Sequence, residues 1–358
     1  MSSEKYYPKK LIEGVTTAVF PKDEIRFVNW YLQHGCDLDC SYCRVPLQAV
    51  KPMNLEQRLE ALCRLRTLCS STPVLSILGG EPTLRPDYLV GAVEDAASLG
   101  FRVNTITNGR GLTPELIQRL AQAGLSHLGM SVDSDQEATK SNLDRALHLL
   151  TFARENGIVP AVNTVITRNT DPESFKHFAR TIIGTKIMIS PLMCSPQVPN
   201  GAFSNANPEL TPTKDQIRQI IPWLAWQKII TGRVLGTFGY LWTLYRLTET
   251  EDQIDLWHCS PHLRIEKQKN GRGSLTLDSD GYLGPCQEYP RVINLLDTED
   301  EQLTLQLVDA ELAETTKQCP GCLYNCYIME EELQGSSALL ETPNFIETLR
   351  IHSNNKHK

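Results

Sequence analysis

Short apolar runs alternate with longer stretches of helical period from about residue 24 to residue 193. The short runs predict strands at residues 25–32, 74–78, 102–107, 127–132, 160–166 and 186–191, because apolar segments bounded by turn residues suit buried strands. Between them, apolar positions recurring every three to four residues predict helices at 55–69, 87–99, 114–123, 141–156 and 172–183. Asn54, Thr113 and Asp171 stand where N-caps belong, and Gly100, Gly124 and Gly157 where helices should stop. Strands alternating with helices of this length imply right-handed crossovers and a parallel sheet. Six such units fall short of the eight in a closed (β/α)₈ barrel. An α/β fold with an open, partial (β/α)6 TIM-like barrel fits the count, and a doubly wound sheet is the alternative. Either way, chemistry collects at the C-terminal ends of the strands.

Beyond the barrel the pattern changes. Residues 196–212 are rich in Pro and Asn and read as a loop over the barrel mouth, and 213–231 and 240–256 read as helices. Residues 263–285 suggest a β-hairpin, with Asn270-Gly271 and Asp280-Gly281 as turn signals. Residues 303–315 suggest a further helix, and the chain after His352 is a polar tail. The expected organisation is an N-terminal extension (1–23), the barrel (24–232), a small α+β cysteine-rich domain (233–332) and a C-terminal helix with its tail (333–358).

Composition narrows the class. The net charge is −7 and no long basic run is present, which argues against a nucleic-acid partner. Residues 1–20 carry Glu4, Lys5, Lys9 and Lys10 and no apolar core of a signal peptide, and no stretch is long and apolar enough for a membrane span. A cytoplasmic location without membrane attachment is the expectation. There, 11 cysteines point to metal or redox chemistry rather than disulfides. Eight of them crowd into two regions: Cys36, Cys40 and Cys43, then Cys259, Cys286, Cys319, Cys322 and Cys326.

Cys36-Asp37-Leu38-Asp39-Cys40-Ser41-Tyr42-Cys43 follows the first predicted strand with CxxxCxxC spacing. Three soft thiolates in so short a loop can wrap one iron–sulfur cubane and leave its fourth iron open. The same positions form an i, i+4, i+7 helical stripe of small buried residues, but Gly35, Asp37, Asp39 and Ser41 suit a loop better than a helix. A zinc site would more often show two CxxC pairs or a Cys/His mixture. The motif resembles the hallmark of the radical S-adenosylmethionine (SAM) superfamily, with Tyr42 in the aromatic position before the last cysteine. The resemblance covers roughly residues 24–200. It implies a [4Fe–4S] cluster on Cys36, Cys40 and Cys43, with SAM chelating the open iron. Gly79-Gly80-Glu81-Pro82 resembles the family's GGEP motif: the glycines would let backbone approach the methionine moiety, and Glu81 would accept from its ammonium. Ser131 and Asp133 look like the ribose and carboxylate contacts, although a polar rim and helix cap is the plainer reading. Thr107, Asn108 and Asn163 are similar but less specific, and Arg168 reads equally as a SAM or substrate contact and as a solvated loop arginine.

Cys259, Gly281 to Cys286 in a GxxxxC spacing, and Cys319-Pro-Gly-Cys322 resemble the SPASM/twitch extension of some radical SAM enzymes. The gap from Cys259 to Gly281 is longer than the usual pattern, and the cysteines are too few for two clusters. That favours the shorter, twitch type with one auxiliary [4Fe–4S] cluster on Cys259, Cys286, Cys319 and Cys322, with Cys326 as a replacement ligand or nearby thiol. A zinc knuckle on Cys319, Cys322, Cys326 and one further partner is the alternative. Cys63 and Cys69 read as core residues of a helix, and Cys194 as buried structure.

The resemblance implies reductive cleavage of SAM and hydrogen abstraction from a substrate, an oxidoreductase-like activity fed by a donor such as flavodoxin or ferredoxin. Only about two dozen residues precede the first strand, which favours a small-molecule substrate over a peptide read through a leader domain. Peptide modification is the alternative, and a non-catalytic, metal-stabilised interaction protein the third reading.

Overall fold

The computed structural model describes residues 25–43, 45, 50–134, 142–195, 208–249, 274–288, 291–299 and 321–324. The expected N-terminal extension, the helix at 303–315 and the C-terminal helix and tail lie outside them, as do Cys259, Cys319 and Cys326.

Six parallel strands come first: β1 (Ile25–Tyr31), β2 (Cys69–Leu78), β3 (Arg102–Thr107), β4 (Leu125–Ser131), β5 (Val159–Ile166) and β6 (Met188–Met193). They lie side by side in chain order, β6-β5-β4-β3-β2-β1. Across these six βα units the order never reverses, unlike the two halves of a doubly wound sheet, and the architecture is an open, partial barrel. The crossovers are α1 (Leu55–Thr67), α2 (Pro86–Ser98), α3 (Pro114–Gln122), α4 (Leu143–Glu155) and α5 (Pro172–Gly184). Their starts are written locally. Asn54 and Gln57 form a capping box (2.9 and 3.0 Å), the Leu116 N–H donates to Thr113 (3.2 Å) and the Ser174 N–H to Asp171 (2.8 Å). Each such cap contributes about 1 kcal/mol.

The outer face of the sheet forms the core. Val28, Trp30, Leu75, Ile77, Val103, Leu128, Met130 and Val162 pack there against Leu62, Leu89, Ile117 and Leu150 of the helices. The inner face differs. Asn29, Ser76, Asn104 and His127 are register neighbours on four adjacent strands, all only half-buried. A packed barrel fills such a layer with branched apolar side chains. Here the layer is polar.

After β6 the chain forms α6 (Lys214–Thr231) and α7 (Phe238–Arg246). The second helix was expected to run on to residue 256, but it ends at the Leu247 cap. Of the expected hairpin, residues 263–273 with the Asn270-Gly271 turn lie outside the described residues; the rest forms β7 (Ser274–Leu277) and β8 (Tyr282–Gly284), turning at Asp278–Gly281, with Gly281 at φ 92°, and β9 (Ile293–Asn294) follows. The hairpin does not stand apart. β7 pairs in parallel with β1 and extends the barrel sheet to nine strands. Arg64 of α1 clamps the far side by donating to the carbonyls of Leu295 and Thr298, both at 2.6 Å.

Two cysteines depart from expectation. Cys63 is exposed rather than core, and Cys69 opens β2 rather than closing α1, because the helix ends at Leu68. Among the described residues no helix is long and apolar enough to cross a membrane.

Candidate functional site

The segment after β1 carries the three cysteines across the C-terminal ends of the strands, and three neighbouring strands grip it. The first grip is backbone on backbone. Leu32 N–H donates to Leu78 (2.9 Å), Gly80 N–H to Gln33 (2.8 Å) and Glu81 N–H to Gly35 (2.8 Å). A Cβ on Gly80 would lie 2.1 Å from the Gly35 carbonyl oxygen, and one on Gly79, at φ 147°, 2.4 Å from that of Gln33. The glycine pair thus lets β2 approach the cysteine segment itself, a role separate from the ligand approach that the motif suggests.

Glu81 is buried beneath this contact. Its Oε1 accepts from Thr83 N–H (2.9 Å), Thr83 Oγ1 (2.6 Å) and Thr107 Oγ1 (2.6 Å), and its Oε2 from Asn108 N–H (2.6 Å). Pro82, also buried, begins the short helical turn Pro82–Leu84. Four internal donors surround the carboxyl group expected to meet an ammonium, so Glu81 joins the ends of β2 and β3.

The second grip comes from the end of β3. Asn108 Nδ2 donates to Asp37 Oδ1 (2.8 Å) and lies 4.0 Å from Cys36 Sγ, while Arg110 donates to the Asp37 carbonyl (3.0 Å). The third comes from the end of β4. Tyr42 Oη donates to Asp133 Oδ2 (2.5 Å), and Asp133 Oδ1 accepts from Val165 N–H of β5 (2.8 Å). Burial, reinforced by the Asp133 carboxylate, pushes the Tyr42 phenol far up, so it stays a donor. Ser131 and Asn163 are register neighbours at the same rim. Gly129 makes room for Asn163, whose Oδ1 would sit 2.4 Å from any Cβ there. Gly80, Glu81, Asn108 and Asp133 thus contact the segment that carries Cys36, Tyr42, Cys40 and Cys43, with Gly79 and Pro82 beside them, while Ser131 and Asn163 face each other on β4 and β5 without a contact to that segment. Arg168 does not join them: it is exposed and donates to the Thr211 carbonyl (3.4 Å).

The donor set suits an iron–sulfur cluster. None of the described cysteines is in a disulfide, and Cys36 Sγ accepts from Leu38 N–H (3.4 Å), the kind of bond that tunes cluster sulfurs. Burial pushes the Cys36 thiol up, with the Leu38 N–H opposing, so the proton leaves when metal takes its place. Among the described residues no three His, Cys, Asp or Glu side chains converge as ligands of a single metal ion.

At the C-terminal cysteines, Cys286 and Cys322 are described, on two arms that meet. Tyr324 Oη donates to Glu288 Oε1 (2.5 Å), Tyr31 Oη to Gln287 Oε1 (3.1 Å) and Leu323 N–H to Ser195 Oγ (3.1 Å). Burial and the Glu288 carboxylate hold the Tyr324 phenol well above its ordinary range. The arms therefore touch the barrel at both β1 and the end of β6. Cys194 is buried as expected, its thiol pushed up to about 12 by burial and the nearby Asp133.

One close pair had no local signal in the sequence. His34 Nε2 donates to Asp278 Oδ1 at 2.6 Å, with both side chains almost wholly buried and 244 positions apart. Arg291 reaches Asp278 Oδ2 (3.2 Å) and Asp280 (2.6 Å).

Against known families, residues 30–182 match the model of the radical SAM superfamily, so the chain carries a radical SAM domain. Among curated proteins it is 30% identical over 161 residues to an AdoMet-dependent heme synthase of Methanosarcina barkeri, covering 43% of this chain and 46% of that one. It is 37% identical over 149 residues to a PqqA peptide cyclase of Methylocella silvestris, covering 38% and 39%. The chain thus spans less than half the length of these relatives. Among solved structures, Streptococcus suis SuiB bound to precursor peptide SuiA superposes with TM-score 0.59 at 16% identity, covering 86% of this chain and 70% of that one. Native anSMEcpe with bound AdoMet and Cp18Cys peptide gives 0.58 at 14%, covering 94% and 100%. These likenesses establish a shared fold.

Proposed function

Because residues 30–182 form a radical SAM domain, we propose that the chain is an enzyme that cleaves SAM reductively and abstracts a hydrogen atom from an organic substrate. The observation that carries the reading is the grip on the cysteine segment by Gly80, Asn108 and Asp133 from the ends of three separate strands. Cys36, Cys40 and Cys43 would hold a [4Fe–4S] cluster, whose chemistry there would be one-electron reduction of SAM, breaking its C5′–S bond to give methionine and a 5′-deoxyadenosyl radical. The protein's part is to orient. Asn108 and the Leu38 N–H place donors beside Cys36, while Ser131, Asp133 and Asn163 at the rim offer polar partners to the nucleoside and amino acid ends of SAM. A one-electron donor of flavodoxin or ferredoxin type would supply the reductant.

Cys286 and Cys322, with Cys259, Cys319 and Cys326 as further candidates, would hold an auxiliary cluster; the Tyr324–Glu288 bond that joins the two described arms supports this. Such a cluster would take up the electron left on the substrate or bind the substrate directly.

For the substrate, the peptide reading now has the better support. Relatives named PqqA peptide cyclase and two folds solved with peptides stand beside this chain, against relatives named for heme or porphyrin. Anaerobic reconstitution with iron counting, then a screen of peptides and metabolites for stimulated 5′-deoxyadenosine, tests both readings. Cys40→Ala should abolish SAM cleavage. Cys322→Ala should spare uncoupled cleavage and lose product; full product would refute an electron-accepting role. A wild-type protein that holds zinc and cleaves no SAM would refute the whole reading.

A further inference from the structure

The cysteine segment and the hairpin meet at one buried polar joint. β7 lies along β1 with Trp30 opposite Leu277, which sets Asp278 next to the strand end from which His34 emerges. Asp278 Oδ1 accepts from His34 Nε2 (2.6 Å) and from Ser279 N–H (2.7 Å); Asp278 Oδ2 accepts from Arg291 (3.2 Å). Facing a carboxylate, the Nε2 of His34 carries the proton. Beside the pair, the Ser279 carbonyl accepts from Met53 N–H (2.8 Å) and the Met53 carbonyl from Tyr88 Oη (2.7 Å), so the turn is seated on the barrel from two directions.

A carboxylate and an imidazole fully withdrawn from water are costly, and apolar residues of similar shape would hold two surfaces together at least as well. What a directional pair adds is a unique register. On one side of the joint, Cys36 follows His34 by two residues; on the other, Cys286 follows Asp278 by eight. The His34 and Gly35 carbonyls are also the atoms pressed against Gly80. A shift at Asp278 would then reach, through His34, the segment that carries Cys36.

We propose that His34 and Asp278, backed by Arg291, are positioning residues that couple the C-terminal cysteine hairpin to the SAM-binding loop, so that the seating of the hairpin sets the geometry of the Cys36 segment. This rests on the radical SAM reading for its functional meaning, but the mechanical coupling is testable without it.

The test uses the full chain. In the metal-free protein, hydrogen exchange is compared for wild type, His34→Ala, Asp278→Ala and the milder Arg291→Gln, which leaves the buried pair in place. The Ala variants should raise exchange in the hairpin and in residues 33–43 together, and Arg291→Gln should do so to a smaller extent. Exchange that rises in the hairpin alone overturns the coupling. In the anaerobically reconstituted protein, the probe is SAM added to the dithionite-reduced enzyme, read by electron paramagnetic resonance. His34→Ala should keep its iron, lose most of the SAM-induced spectral change and bind SAM about tenfold to a hundredfold more weakly. His34→Gln, whose side-chain amide can stand in for the Nε2 donor, should restore the response. A wild-type response from His34→Ala overturns the proposal. A wild-type enzyme with no response to SAM overturns the radical SAM reading instead, and the exchange result still decides the coupling.

Discussion

Glu81 offers the sharpest division between a residue that holds the fold and one that meets a ligand. Its two carboxyl oxygens take four internal hydrogen bonds, two of them from the backbone N–H groups of Thr83 and Asn108, one on each oxygen. Glu81→Gln keeps shape and volume but turns one oxygen into an NH₂ group. The Thr83 and Thr107 hydroxyls can rotate to accept from it; a backbone N–H cannot. Whichever way the amide settles, one buried N–H loses its acceptor, at about 1–3 kcal/mol. At about 2–4 °C per kcal/mol, the metal-free protein should melt about 2–12 °C lower. Thr107→Val removes a hydroxyl that donates to Glu81 and also accepts from the buried Gly109 N–H (3.0 Å), and should lose about 1–3 kcal/mol. The assay is urea and thermal unfolding of the metal-free chain, followed by SAM titration of the reconstituted protein. Glu81→Gln with wild-type stability and weakened SAM binding would refute the reasoning, because it would make the carboxyl a ligand contact and the four bonds incidental.

Gly80→Ala should be more severe, because the added methyl meets two backbone carbonyls at 2.1 and 2.3 Å that cannot rotate away. A loss of about 3 kcal/mol and poor iron retention are expected, and full iron loading would contradict the contact. Tyr42→Phe removes the 2.5 Å bond to Asp133 and should cost about 1–2 kcal/mol and speed iron loss to a chelator; an unchanged loss rate would count against the third grip. Burial pushes the Asp278 carboxyl up, but His34, the Ser279 N–H and Arg291 together outweigh it and hold the group below the ordinary 3.8. Its folded value is thus lower than its unfolded one, so its stabilisation is complete above the unfolded value and fades as pH falls through the folded value. Between about pH 5 and about pH 3 the wild type should lose more stability than Asp278→Asn, measured by urea unfolding of the metal-free protein. Equal losses would remove Asp278 as a contributor.

Much of the barrel was legible because its signals are local. The third strand falls on 102–107 as expected, and the helices begin where Asn54, Thr113 and Asp171 place them. The early part of β2 was missed because Ser70, Ser71 and Thr72 show no apolar alternation, yet the strand already pairs there, Cys69 opposite Ile25. The cysteine loop was legible from spacing alone, since three thiols in eight residues leave few alternatives. The partners that hold it were only partly so. Tyr42 and Asp133 were each singled out, but not as partners of one another, and Glu81 was expected to face a ligand. His34–Asp278 and the pairing of β7 with β1 join residues more than 200 positions apart, and a hairpin's own pattern does not name the edge it will join.

That last pairing has a consequence for how the chain is made. The first strand among the described residues keeps one row of peptide groups without its sheet partner until the ribosome has delivered residues 274–277. Until then β1 presents a bare edge, the feature by which nascent sheets recruit strangers. Such distant closure predicts slow maturation and a nascent state open to chaperones or to delivery of inorganic parts. A chain halted at residue 250 should self-associate through that edge.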